Sequence, residues 1–169
     1  MKRKVSMLIT LLALILSVGA IAQDKKPASP PAKAEGTING INVTVDYSQP
    51  SAKGRKIMGE LVPYGKVWRT GANATTSIEF GGDVKIEGKA LPKGKYGLFT
   101  IPGENEWTII INQQASGSPF DYDDKKDVLR VNVKPGKSSG FVETFTISVE
   151  KNSVVLSWEN TTASFKVSK

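Results

Sequence analysis

Phe145 to Trp158 reads FTISVEKNSVVLSW. Phe145, Ile147 and Val149 alternate with Thr146 and Ser148. After Lys151-Asn152-Ser153, Val154, Leu156 and Trp158 alternate with Val155 and Ser157. A period of two puts every second side chain on one face of a strand, so each run reads as a strand with one face in a core. The residues between the runs carry the polar chemistry that reverses a chain.

The same period recurs outward from this pair. Ile41, Val43, Val45 and Tyr47 share one face, as do Thr76, Ile78 and Phe80, and Val84 with Ile86. Trp107, Ile109 and Ile111 follow, then Leu129, Val131 and Val133, and Ala163, Phe165 and Val167 near the end. Turn signals separate them at Asn39-Gly40, Glu87-Gly88-Lys89, Pro92-Lys93-Gly94, Pro102-Gly103 and Pro135-Gly136-Lys137. The expectation is an all-β fold, an antiparallel β-sandwich of jelly-roll-like or immunoglobulin-like layout with about eight or nine short strands. One helical turn is expected around Ile57 to Leu61.

The chain has 169 residues, 39% of them hydrophobic, enough for one domain with a core. It has no cysteine and no histidine. That removes disulfides, thiolate chemistry, the commonest zinc ligands and any Ser-His-Asp triad. No cofactor and no metal site are expected. Asp121, Asp123, Asp124 and Asp127 cluster, but without the glycine and closing glutamate of a calcium loop they read as a solvated acidic turn.

Lys2-Arg3-Lys4 precede an apolar run from Val5 to Ala20, and Ala20-Ile21-Ala22 follows. A basic start, an apolar stretch and small residues at the cleavage positions make a secretory signal. The run is short for a bilayer-spanning helix, which takes about 20 residues. The expected organisation is a signal peptide over 1–22, a disordered linker over 23–36 and a β-sandwich domain over 37–169. The protein is expected to be exported, to periplasm or exterior, with no membrane span after cleavage. The linker QDKKPASPPAKAEG has no large apolar residue, so nothing offsets the entropy of ordering it. Of the net charge of +7, three units sit in Lys2, Arg3 and Lys4. The rest is mildly basic with lysines spread along the chain, which argues against a nucleic-acid partner.

Two stretches break the strand rhythm: Ser48 to Asn73, and Gln113 to Lys126. Loops on a rigid β scaffold are where binding residues concentrate. The first holds Tyr64, Lys66, Trp68, Arg69 and Asn73, and these five are the candidate ligand-binding residues. Arginine offers a planar fork to a carboxylate or phosphate, and tryptophan a flat apolar face. The competing reading makes Trp68 a core residue and pairs Arg69 with an internal carboxylate such as Glu159 or Asp46. No catalytic residue is assigned. Glu79, Glu104, Glu106, Glu143 and Glu159 could serve a histidine-free hydrolase only if two of them faced each other about 5 to 9.5 Å apart.

The wording of several segments carries a resemblance. These are Asp46–Asn73, DYSQPSAKGRKIMGELVPYGKVWRTGAN, and Leu91–Asn112, LPKGKYGLFTIPGENEWTIIIN, then KKDVLRVNVKP, ETFTISV and LSWENTTASF. Together they resemble an exported bacterial family catalogued as a domain of unknown function, DUF2911. Val62 to Asn73 and Lys95 to Trp107 are the most specific parts. The family commonly has a basic residue where this chain has Gln49, and Phe where it has Met58. The resemblance implies export and an all-β domain, and supplies no activity.

The functional expectation is a non-enzymatic ligand-binding or interaction module of the envelope. Its partner would be a small anionic or glycan ligand, or another envelope protein. The alternative is a hydrolase acting on a glycan or peptide through paired carboxylates.

Overall fold

The computed structural model describes residues 28–118, 120 and 122–169. The expected signal peptide and most of the expected linker therefore lie outside the described residues. Among those described there are ten strands: β1 (Pro31–Ile38), β2 (Ile41–Ser48), β3 (Ser77–Phe80), β4 (Val84–Ile86), β5 (Lys89–Leu91), β6 (Gly94–Ile101), β7 (Trp107–Asn112), β8 (Asp127–Val133), β9 (Gly136–Val149) and β10 (Ser153–Ser168). They form a six-stranded sheet in the order β1-β2-β3-β6-β7-β8 and a four-stranded sheet in the order β5-β4-β10-β9. Every strand pair is antiparallel. The fold is an all-β antiparallel sandwich.

Two hairpins close where the sequence signals them. Asn39 and Gly40 both have positive φ, 52° and 80°, and join the paired residues Ile38 and Ile41. Glu87 and Gly88, at 47° and 82°, join the paired Ile86 and Lys89. Two consecutive positive φ values give the turn whose twist matches the flanking strands. The FTISVEKNSVVLSW stretch is the β9–β10 hairpin, with Val149 opposite Val154 and Ile147 opposite Leu156. Its inward residues Phe145, Ile147, Val154, Leu156 and Trp158 are buried with Val43, Val45, Ile109, Ile111 and Phe165 in the core between the sheets.

Three expectations need correction. Pro31–Gly36, placed in the linker, is strand: it pairs residue by residue with Val43–Ser48. Only Ala34 and Ile38 of β1 are buried. Its order comes from backbone hydrogen bonds to β2 at a sheet edge, where proline and lysine are tolerated, so side-chain hydrophobicity does not report it. Around Ile57 to Leu61 there is no helix. Glu60 N–H and Val62 N–H both donate to Ile57 O, and Met58 bridges to Val62, making a tight turn. Finally, the runs ending at Trp158 and starting at Ala163 are one strand, β10, which stays continuous through two register shifts beside β9.

β6 escapes the alternating pattern because it is central. Leu98, Phe99 and Thr100 are consecutive and all buried. Leu98 enters the sandwich core. Phe99 and its cross-strand partner Ile110 are buried on the outer face of the larger sheet, outside that core. A strand covered on both faces loses its period-two signature.

Candidate functional site

β3 begins at Ser77, opposite Gly97, so the second half of β6 lacks that neighbour. Trp68 takes the place: its N–H donates to Thr100 O at 2.7 Å and its carbonyl accepts from Thr100 N at 2.9 Å. An extended segment sends successive side chains to opposite faces, and Trp68 and Arg69 divide accordingly.

Trp68 goes to the core side. Its ring stacks on Trp158, centroids 5.9 Å apart and planes 20° apart, and meets Phe145 and Trp107 edge-on at 5.0 and 6.5 Å. Its indole N–H donates to Gly71 O at 3.1 Å. Thr70 follows, fully buried at φ 57°. A β-branched residue in the left-handed region is a genuine outlier that costs about 1–3 kcal/mol. The turn is held by Thr70 Oγ1 donating to Thr100 Oγ1 at 3.2 Å and by Thr76 Oγ1 donating to Thr70 O at 2.9 Å.

Arg69 goes to the outer face. It lines a pocket of about 280 Å³ with Leu61, Lys66, Val67, Phe99, Phe120 and Tyr122. Its guanidinium carbon lies 5.9 Å from the Phe120 ring centre, in cation–π range. Its Nε is buried and has no hydrogen-bond partner among the described residues. Neither expected ion-pair partner reaches it: Glu159 accepts from Met58 N, and Asp46 pairs with Lys33 and Lys95. Pairing of Arg69 with Glu159 or Asp46 is thereby corrected. The alternation that sends Trp68 inward sends Arg69 to the outer face, where Asp46 is already engaged by Lys33 and Lys95.

The floor of this pocket is braced from the second loop. Tyr122 packs its ring on Phe99 at 4.9 Å and donates its hydroxyl to Asp127 Oδ2 at 2.9 Å. Arg130 donates to that same carboxylate oxygen at 2.6 Å and to the Tyr122 hydroxyl at 2.8 Å. Asn112, fully buried, donates to Asp127 Oδ1 at 2.7 Å and to Asp123 O, and accepts from Gln114 N. Burial, then the Asp127 carboxylate, push the Tyr122 phenol up to about 12. Tyr122 is therefore a neutral wall at ordinary pH. Asp123 caps the single turn of 3-10 helix at Asp124–Lys126 through Lys125 N. Of the acidic cluster, Asp127 and Asp123 thus have structural partners, and Asp121 lies outside the described residues.

The five sequence-assigned residues separate. Lys66, Trp68 and Arg69 meet at the pocket. Tyr64 lines a different cavity with Glu104, Lys137 and Asn160. Asn73 lines neither: its amide donates to Ser29 O at 3.0 Å and clips the start of the domain. Gln49 is also remote, donating to the Tyr47 hydroxyl at 3.2 Å. The departure from a basic residue there does not touch the Arg69 pocket. Sequence reasoning missed Phe99, Phe120 and Tyr122. The signal for the last two was present as aromatics inside the second irregular loop, where only the aspartates drew notice.

The family model described as "Protein of unknown function (DUF2911)" matches residues 29–167. The chain belongs to this family. No curated protein and no solved structure matches it. The match begins beside β1 and spans the whole sandwich, so this DUF2911 domain holds both cavities within the family's extent.

Proposed function

We propose that this DUF2911 domain is a non-enzymatic binding module whose Arg69 pocket takes a small organic anion with a flat apolar body. The observation that carries this is the buried Arg69 Nε, which has no partner among the described residues. A buried donor left unmade costs about 1–3 kcal/mol, and an incoming carboxylate or phosphate offers the planar acceptor that the guanidinium fork fits. Lys66 adds a second cation, no carboxylate among the described residues lines the pocket, and Phe99, Phe120 and Tyr122 supply the apolar walls. The strained, buried Thr70 beside Arg69 fits a segment shaped for a task, since such strain gathers at ligand sites. The hydrolase alternative gains nothing here: among the described residues the Arg69 pocket has no carboxylate and the Tyr64 cavity has Glu104 alone.

The test is a thermal-shift screen of the protein against benzoate, phenyl phosphate, neutral glycans and short peptides. A ligand bound only by the native state raises Tm. The expected result is a concentration-dependent rise with the aromatic anions that disappears in Arg69→Lys. A flat response to every anion overturns the reading.

The N-terminal pattern supports export of this module to periplasm or exterior. Mass spectrometry of protein from its native host is expected to find a chain starting at Gln23 or within a few residues. An intact Met1 terminus on most molecules contradicts export by this signal.

A further inference from the structure

The cavity under Tyr64 is separate from the Arg69 pocket and chemically unlike it. It measures about 350 Å³, with Trp107 at its floor and Tyr64, Glu104, Lys137, Asn160 and Thr161 around it. Tyr64 is 38% exposed, yet it is fixed. Its ring lies so close over Gly59 that a Cβ there would sit 2.9 Å from it, and the next residue, Gly65, donates its N–H to Pro102 O at 2.8 Å. A rigid, half-open aromatic face is a platform available at little entropic cost.

Opposite stands a distorted part of β10. Its register beside β9 shifts between Ser157 and Glu159 and again between Glu159 and Thr161, and Glu159 has φ 51°. Bulges of this kind re-aim side chains at sites, and here they deliver Asn160 and Thr161 to the cavity. Glu104, Lys137 and Asn160 are exposed, and among the described residues Glu104 and Lys137 have no salt-bridge partner. One carboxylate and one ammonium leave the lining without net charge, unlike the two cations of the Arg69 pocket.

We infer that this cleft binds one unit of a neutral saccharide, its ring lying on Tyr64 and its hydroxyls meeting Asn160, Glu104 and Lys137. A pyranose has an apolar C–H face and a rim of hydroxyls that each donate and accept. An aromatic face beside a carboxylate acceptor, an ammonium donor and a two-way amide complements both parts. The inference is independent of the anion reading, because the two sites share no side chain.

The test is isothermal titration of the protein with cellohexaose, maltohexaose, laminarihexaose and chitohexaose. At least one of the four is expected to bind saturably. Tyr64→Ala and Asn160→Ala should each weaken that binding by about tenfold or more, and Asn160→Ala, at an exposed side chain, should leave Tm unchanged. Tyr64→Phe, which keeps the ring, should retain most of it. Absence of saturable binding to all four sugars overturns the inference. So does binding that Tyr64→Ala leaves intact.

Discussion

The Arg69 guanidinium stands 5.9 Å from the centre of the Phe120 ring, while the neighbouring Trp68 ring stacks on Trp158 at 5.9 Å on the other side of the same segment. One residue is held by the core and the next looks out of it. Their mutations should separate stability from binding.

Arg69→Lys keeps the charge and loses the fork. Among the described residues Arg69 has no ion pair to be broken and its buried Nε has no acceptor. The melting temperature is expected to stay nearly constant while binding of an aromatic anion is lost. Differential scanning calorimetry without ligand checks the first half. A clear drop in Tm there would show that Arg69 is structural.

Trp68→Ala removes a ring that touches Trp107, Phe145 and Trp158. Large aromatic-to-alanine changes in cores cost about 3–5 kcal/mol. Urea unfolding should show a loss of this size. A loss below about 0.5 kcal/mol, the range of surface substitutions, would place Trp68 at the ligand and not in the core.

Stability should fall in alkali through Tyr122. Its folded-state value is raised from 10.0 to about 12, so between these values the native state binds more protons than the unfolded one. The Tyr122 contribution is complete below pH 10 and is lost as pH rises through 12. The Tyr96 phenol is raised as well, by burial and then by Asp83. The comparison is therefore with Tyr122→Phe, which should remove one late-ionising tyrosine from the absorbance titration and flatten the corresponding decline in stability. Ionisation of Tyr122 at the ordinary tyrosine pH would disprove the bracing by Asp127.

Asn112→Asp replaces the amide that donates to Asp127 Oδ1 at 2.7 Å with a second carboxylate. Two carboxylates at that distance repel unless they share a proton. The variant should be less stable at neutral pH, by about 1–3 kcal/mol for the lost buried bonds alone. The deficit should shrink as pH falls and the pair takes up a proton. A deficit that does not vary with pH would mean that Asp127 is not the neighbour that matters.

Gly97 lies where the second loop crosses β6. A Cβ there would run into the Gln114 carbonyl oxygen and come within 2.9 Å of the Phe99 ring. Overpacking of this sort typically costs about 1–3 kcal/mol. Gly97→Ala should destabilise the domain and weaken anion binding together, since Phe99 walls the Arg69 pocket. Unchanged stability, read by urea unfolding, would refute the close crossing.

The sequence by itself determined the class of fold and most of its strands. Period-two runs such as Phe145–Val149 and Val154–Trp158 must bury one face, and Asn39-Gly40 and Glu87-Gly88 favour the left-handed backbone of tight hairpins. It also named Trp68 and Arg69 as the residues to watch. Tertiary structure alone decided what they do. β1 was hidden because an edge strand is ordered by backbone pairing to β2, which composition does not record. β6 was hidden because burial on both faces erases alternation. The division of four of the five candidates between two cavities, with Asn73 in neither, depends on packing with Phe99, Phe120, Tyr122, Lys137 and Asn160. Those residues are remote in sequence, and only the packing of loops against the sheet brings them together.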